Sequence, residues 1–156
     1  QCKAELILRA CDSRAVFFSS MGAALKLDPT KVRGFVFWDV NGLKETNDTL
    51  GHIMGDKLIA SIADSIRGFT NEKCRAYRIG GDEFIMICEG ESELKMNEIA
   101  NEWRKIVEQT NLTSDITLSA AVGYAAGEGS NIGAVIKLAD DRMYANKLEE
   151  KKQRKS

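Results

Sequence analysis

Apolar positions in the first 25 residues, Leu6, Ile7, Leu8, Ala15, Val16, Phe17, Met21 and Leu25, recur at mixed helical spacing and predict one or two helices. Beyond Pro29 the period shortens. The run 34–40, Gly-Phe-Val-Phe-Trp-Asp-Val, is β-branched and aromatic, the composition of a strand buried on both faces, with Phe35, Phe37 and Trp38 in the core. From Asp56 onward, Leu58, Ile59, Ile62, Ala63 and Ile66 follow at i, i+3, i+4 spacing and predict a helix ending near Gly68. Two further strands, 76–79 and 84–88, flank Gly80-Gly81, a hairpin signal because glycine tolerates positive φ. Residues 93–109 read as a helix, 116–124 alternate as a strand, and 132–148 form an amphipathic helix. The closing Lys-Lys-Gln-Arg-Lys run belongs to a basic tail, 149–156, expected to be frayed and solvated.

From residue 34 the order is β-α-β-β-α-β plus a closing helix, the split βαβ arrangement of ferredoxin-like folds. The predicted class is α+β, an α/β sandwich whose central, mostly antiparallel sheet is flanked by helices. A right-handed crossover leaves a gap beside the first strand, and the third strand fills it antiparallel. Asp39, at the end of the first strand, then lies beside the Gly80-Gly81 turn and beside Asp82 and Glu83. Carboxylates so placed repel one another and resist desolvation, and a bound cation relieves both costs. Magnesium suits such a cluster because it takes one or two carboxylates, keeps several waters and completes its shell with substrate phosphates. Two ions of this kind serve phosphoryl transfer. Taken alone, Gly-Gly-Asp-Glu also reads as the polar rim of a hairpin; the approach of Asp39 is what favours a site.

Composition narrows the class. A chain of 156 residues with 44% hydrophobic content fills one core and is short for two, so 1–156 reads as a single domain. A formal net charge of -1 excludes the broad cationic surface of a nucleic-acid binder, so any nucleotide handled is small. Cys2, Cys11, Cys74 and Cys88 show no Cys-x-x-Cys spacing and no histidine cluster, which argues against zinc or a disulfide framework and for a reducing cytoplasm. No apolar run approaches the roughly 20 residues of a membrane helix, so no membrane contact is expected of this chain. It opens on Gln1 rather than Met, which reads as a fragment of a larger protein that carries membrane-anchored or sensory parts elsewhere.

Four ordered motifs then carry a resemblance. Residues 78–84 read Arg-Ile-Gly-Gly-Asp-Glu-Phe, and 39–56 read Asp-Val-Asn-Gly-Leu-Lys-Glu-Thr-Asn-Asp-Thr-Leu-Gly-His-Ile-Met-Gly-Asp. Downstream stand Leu118-Ser119-Ala120-Ala121-Val122-Gly123, then Ala139-Asp140 with Tyr144 and Lys147. Over a core of 33–147 these resemble the GGDEF domain family, the diguanylate cyclase catalytic domain with its nucleotidyl-cyclase palm. The resemblance implies condensation of two GTP molecules into cyclic di-GMP, a bacterial second messenger, with two Mg2+ or Mn2+ ions per active site. It implies metal ligation by Asp39, the Val40 carbonyl and Asp82, with Glu83 a further ligand or the base for the ribose 3′-hydroxyl. Asn47 and Asp56 would read guanine, since a carboxylate accepts from both N1-H and the exocyclic amine, donors that adenine does not pair this way. On the residues alone, Asp56 is equally a helix N-cap and Asn47 a turn residue. Lys44 and Lys147 would grip phosphates, assisted by backbone N–H groups around Gly42, Leu43, Gly80 and Gly81. His52, the only histidine, receives no chemical role.

The chain also departs from the pattern. Asn41 replaces the usual second aspartate, residues 6–14 retain little of the family's Asp-x-Leu-Thr-Gly-Leu-x-Asn-Arg segment beyond Arg14, and Gly-Arg-Asn is missing after the last helix, where Lys151 stands in for the arginine. Asn71 and Cys74 occupy the positions of the family's inhibitory Arg-x-x-Asp. The expected function is a cytoplasmic, homodimeric diguanylate cyclase. The alternatives are a catalytically weak GGDEF domain that binds GTP and regulates a neighbour, or a related cyclase making mixed cyclic dinucleotides, against which Asp56 argues.

Overall fold

The computed structural model describes residues 30–155, with side chains through residue 153; the helices expected before residue 26 lie outside the described residues. Strands β1 (Val32–Val40), β2 (Cys74–Arg78), β3 (Glu83–Glu89) and β4 (Ala120–Glu128) form one sheet in the order β2-β3-β1-β4, and each neighbouring pair is antiparallel. The first crossover carries two helices, α1 (Leu43–Leu50) and α2 (His52–Arg67); the second carries α3 (Glu93–Asn111), and α4 (Ile132–Lys155) follows β4. The third strand does fill the gap beside the first, as the split βαβ order requires.

Strand β1 is buried on both faces because the sheet lies between two helical layers. Val36, Trp38 and Val40 face α2 and α3, while Phe35 and Phe37 face Val135, Ala139 and Met143 of α4. Trp38 meets Trp103 edge to face at 6.0 Å. The indole N–H of Trp103 donates to Ser65 Oγ at 2.8 Å, which satisfies the buried donor.

Two glycines set how closely helices approach the sheet. A Cβ at Gly123 would collide with the backbone of Met143 and Ala139, so α4 lies directly on β4 there. A Cβ at Gly34 would collide with the Met96 side chain of α3. Asn146, one turn beyond Met143, accepts from the Val122 N–H at 2.9 Å and closes part of the exposed edge of β4.

Several expectations are corrected. α1 was not foreseen: none of its residues is buried, so it lacks an apolar stripe. α2 starts at His52 rather than Asp56, behind Gly51 at φ 91°. The last strand runs over Ala120–Glu128 rather than 116–124. Ile116 and Leu118 are buried, but the Asn111 side chain takes the Leu118 backbone, bonding its N–H at 2.7 Å and its C=O at 2.9 Å. Among the described residues, positive φ occurs at Gly42, Gly51 and Gly90 and not at Gly80 or Gly81. The basic tail is helical as far as Lys155, where α4 ends, with 151–153 exposed. Finally, Cys74 and Cys88 face each other across β2 and β3 and form a disulfide, against the expectation from spacing. Hairpin register, not sequence proximity, brings them together.

Candidate active site

The end of β1 is locked to the hairpin turn by backbone alone. Asp39 pairs with Glu83 across β1 and β3, and the Val40 N–H donates to the Asp82 carbonyl at 2.7 Å. On the other side the Asn41 N–H donates to the Ser119 carbonyl at 2.8 Å. Asp39, Val40, Asp82 and Glu83 are therefore neighbours by construction. The turn itself is closed by Arg78, a residue to which the sequence assigned no role. Its guanidinium donates to the Gly81 carbonyl at 2.6 Å and to the Gly80 carbonyl at 3.2 Å. This clamp replaces the positive-φ geometry expected of the two glycines.

Burial first, and then the negative charge of Asp39, hold the Asp82 carboxyl above the usual carboxylate range. The two side chains lie close enough for a protonated Asp82 to hydrogen-bond to Asp39. Asp39 Oδ2 accepts from Lys147 Nζ at 2.7 Å, whereas Asp39 Oδ1 is buried and receives no donor. A buried carboxylate oxygen without a donor beside a second carboxyl is a hard, anionic oxygen set, and this fits a divalent cation such as Mg2+ or Mn2+. The three-carboxylate convergence is not reproduced in full. Among the described residues no group of three acidic, histidine or cysteine side chains is placed to share one ion, and Glu83 stands opposite Asp39 in the β1–β3 register.

The phosphate-gripping candidates lie around α1. Gly42 caps that helix at φ 79°, a conformation a side chain would strain, and the first helical bond runs from Thr46 N–H to Gly42 C=O at 2.9 Å. The N–H groups of Leu43 and Lys44 consequently have no partner within the helix, and the Lys44 side chain is exposed. Lys147 belongs to α4 and is engaged with Asp39. Lys151, its suggested companion, is exposed on the same helix.

Asn47 and Asp56 sit at the junction of α1 and α2. Asn47 is in α1, not in a turn, and its side-chain amide occupies the space that a Cβ on Gly55 would need. Gly55 thus lets Asn47 lie against α2 beside Asp56. Asp56 is exposed in the second turn of α2 and does not cap it, since the cap position is Gly51. His52 is exposed at the first position of α2. Asn71 and Cys74 serve structure: the Asn71 side chain accepts from the N–H groups of Lys73 and Cys74 at 2.8 and 2.9 Å, and Cys74 is in the disulfide.

Asn41 has a use that the sequence did not suggest. Its amide donates to Ser119 Oγ at 2.9 Å and to Glu150 Oε2 at 2.7 Å, fastening α4 one turn beyond Lys147.

The family model described as "Diguanylate cyclase, GGDEF domain" matches residues 10–153. Diguanylate cyclase DgcN of Escherichia coli is 32% identical over 144 residues, covering 86% of this chain but 35% of that protein. Among solved structures, the GGDEF domain of DgcB from Caulobacter crescentus in complex with c-di-GMP superposes with TM-score 0.71 at 25% identity, covering 88% of this chain and 85% of that one. The GGDEF domain of TpbB (YfiN) from Pseudomonas aeruginosa gives TM-score 0.71 at 26% identity, covering 96% and 88%.

Proposed function

The chain belongs to the GGDEF domain family of diguanylate cyclases, and from that membership we propose that it condenses two GTP molecules into cyclic di-GMP and two pyrophosphates. The observation that carries the proposal is the Asp39–Asp82 pair: two carboxyls fixed by backbone at adjoining strand ends, one held above its usual range, the other with an oxygen that receives no donor.

Asp39, the Val40 carbonyl and Asp82 would hold divalent metal, two ions per site, with Glu83 as a further ligand or as the base. Bound there, the ions would ease deprotonation of the ribose 3′-hydroxyl and neutralise charge on the departing pyrophosphate. The chain's own groups do the rest. Amides of Gly42, Leu43, Gly80 and Gly81, together with Lys44 and Lys147, orient the triphosphate, while Asn47 and Asp56 select guanine. In each half-reaction a 3′-oxygen forms a bond to the α-phosphorus of the other GTP. The bond from that phosphorus to pyrophosphate breaks, and the hydroxyl proton passes to the base. One subunit holds one GTP, so two copies must face each other.

DgcN is nearly three times as long as the matched segment, which spans 35% of its length. Dimerising or sensory parts are therefore sought outside these residues. Among the described residues no helix is long and apolar enough to cross a membrane. GTP supply places the domain in the cytoplasm, where the Cys74–Cys88 bond is expected to open to two buried thiols. Incubating the chain with GTP and Mg2+ or Mn2+ and identifying products by mass spectrometry tests the proposal. Cyclic di-GMP and pyrophosphate in a 1:2 ratio are expected by the stoichiometry. Bound, unconverted GTP would instead support the regulatory-module reading, which the departure of residues 6–14 from the family's amino-terminal segment keeps open; Asn41 leaves Asp39 in place and is not expected to abolish activity.

A further inference from the structure

Lys147 and Asp39 lie 108 residues apart in sequence, yet their charged atoms meet at 2.7 Å. The pair is well shielded, with side chains 25% and 14% exposed. The backbone around Lys147 is pinned on both sides. Asn146 is bonded to the Val122 N–H, Glu150 is bonded to Asn41, and the turn before them lies on Gly123. Only the flexible stem of Lys147 is left to move. Its ammonium is a compact point charge on four methylenes, able to reach more than one anion from one backbone position.

Asp39 is also a carboxylate of the proposed cation site. A divalent ion and an ammonium cannot share it cheaply, because like charges a few ångströms apart in a shielded site repel. The ammonium must give way, and it then needs another anion. A triphosphate held at the Gly42 cap and the Gly80–Gly81 turn supplies one. We propose that Lys147 is the resident counter-ion of the carboxylate pair, displaced by the divalent cation and re-paired with the nucleotide's phosphates, so that cation and nucleotide bind interdependently. The inference rests on the cation-site reading above and adds an order to it. Either partner alone binds at the expense of the Lys147–Asp39 pair, whereas both together leave every charge matched.

The test measures binding, not turnover. Mn2+ is titrated into nucleotide-free protein, and free Mn2+ is followed by its electron paramagnetic resonance signal. Lys147→Gln is expected to bind Mn2+ about tenfold more tightly than the parent chain, equivalent to about 1.4 kcal/mol. A lysine that merely waits in solvent for phosphate would leave this affinity unchanged, and equal affinities overturn the proposal. A second measurement needs no variant: acetylation of Lys147 by an amine-reactive ester, read on its peptide by mass spectrometry. Mn2+ alone should raise its labelling several-fold, and a further addition of the α,β-methylene analogue of GTP should lower it again. Labelling indifferent to Mn2+ overturns the proposal even if the variant fails to fold. If the parent chain binds no Mn2+ at millimolar concentration, the cation site itself falls and the inference with it. If it binds Mn2+ while affinity and labelling both ignore Lys147, the inference alone falls.

Discussion

Asp39→Ala and Asp82→Ala should both abolish product formation, yet their effects on folding should differ in sign. Asp39 is the partner of Lys147 in an ion pair whose side chains are 14% and 25% exposed. Exposed pairs contribute about 0–1 kcal/mol, and removing one partner of a fully buried pair costs about 3–5 kcal/mol. The Lys147–Asp39 pair lies between these limits, so Asp39→Ala should cost about 1–3 kcal/mol, reduced somewhat by relief of its repulsion with Asp82. Asp82 has the opposite balance. Burial and the Asp39 charge both disfavour its ionised form, so Asp82→Ala should be neutral or stabilising in the metal-free protein. Urea unfolding in the presence of chelator checks this, with the buried Trp38 and Trp103 as fluorescent probes. With a slope of about 2 kcal/mol/M, Asp39→Ala should lower the midpoint by about 0.5–1.5 M. The double variant Asp39→Ala/Lys147→Ala should lose less than the sum of its single changes. Equal midpoints for the two aspartate variants would refute the charge assignment.

Asp56→Ala should weaken GTP binding about tenfold or more and ATP binding far less, since only guanine loses a paired, charged acceptor; equal losses would remove the guanine assignment. Gly123→Ala drives a methyl into the backbone of α4 and should cost about 1–3 kcal/mol by overpacking. It should also lower activity by shifting Lys147, and a fully active, equally stable variant would contradict the placement of α4. The raised pKa of Asp82 gives a pH dependence with a definite sign. The native chain binds more protons than the unfolded chain between 3.8 and the raised value, so the Asp82 contribution to stability falls as pH rises through that window. Asp82→Asn should flatten this part of the metal-free stability profile, and an unaltered profile would contradict the assignment.

What was legible in the sequence was whatever repeats locally. The all-buried run of β1, the helical spacing from Leu58 to Ile66 and the alternation around Phe84 placed the elements, and handedness alone then put Asp39 beside Asp82. What escaped depends on long-range register or on polar groups acting on backbone. α1 buries no residue and depends on Gly42 and Gly51 at its ends and on packing against α2. The start of β4 moved because Asn111 captures Leu118, a contact with no periodic signature. Cys74 and Cys88 meet only through the β2–β3 register. The Lys147–Asp39 and Glu150–Asn41 contacts span 108 and 109 residues, beyond any local pattern. The continuation of α4 did have a local signal: 148–155, Leu-Glu-Glu-Lys-Lys-Gln-Arg-Lys, holds strong helix formers and neither Gly nor Pro.

The central claim is a reaction shared by two copies of the chain, each with one GTP on its own Asp39–Asp82 site. It is tested most directly by cyclic di-GMP formation per mole of protein, measured across a hundred-fold range of concentration with Mg2+ and saturating GTP. Two copies must find each other by diffusion, so specific activity should rise steeply with concentration, and fusion to a parallel dimeric coiled coil should raise it further. Cyclic di-GMP made at constant specific activity by a chain that sediments as a monomer throughout, or no cyclic di-GMP from the fused dimer, would contradict the account.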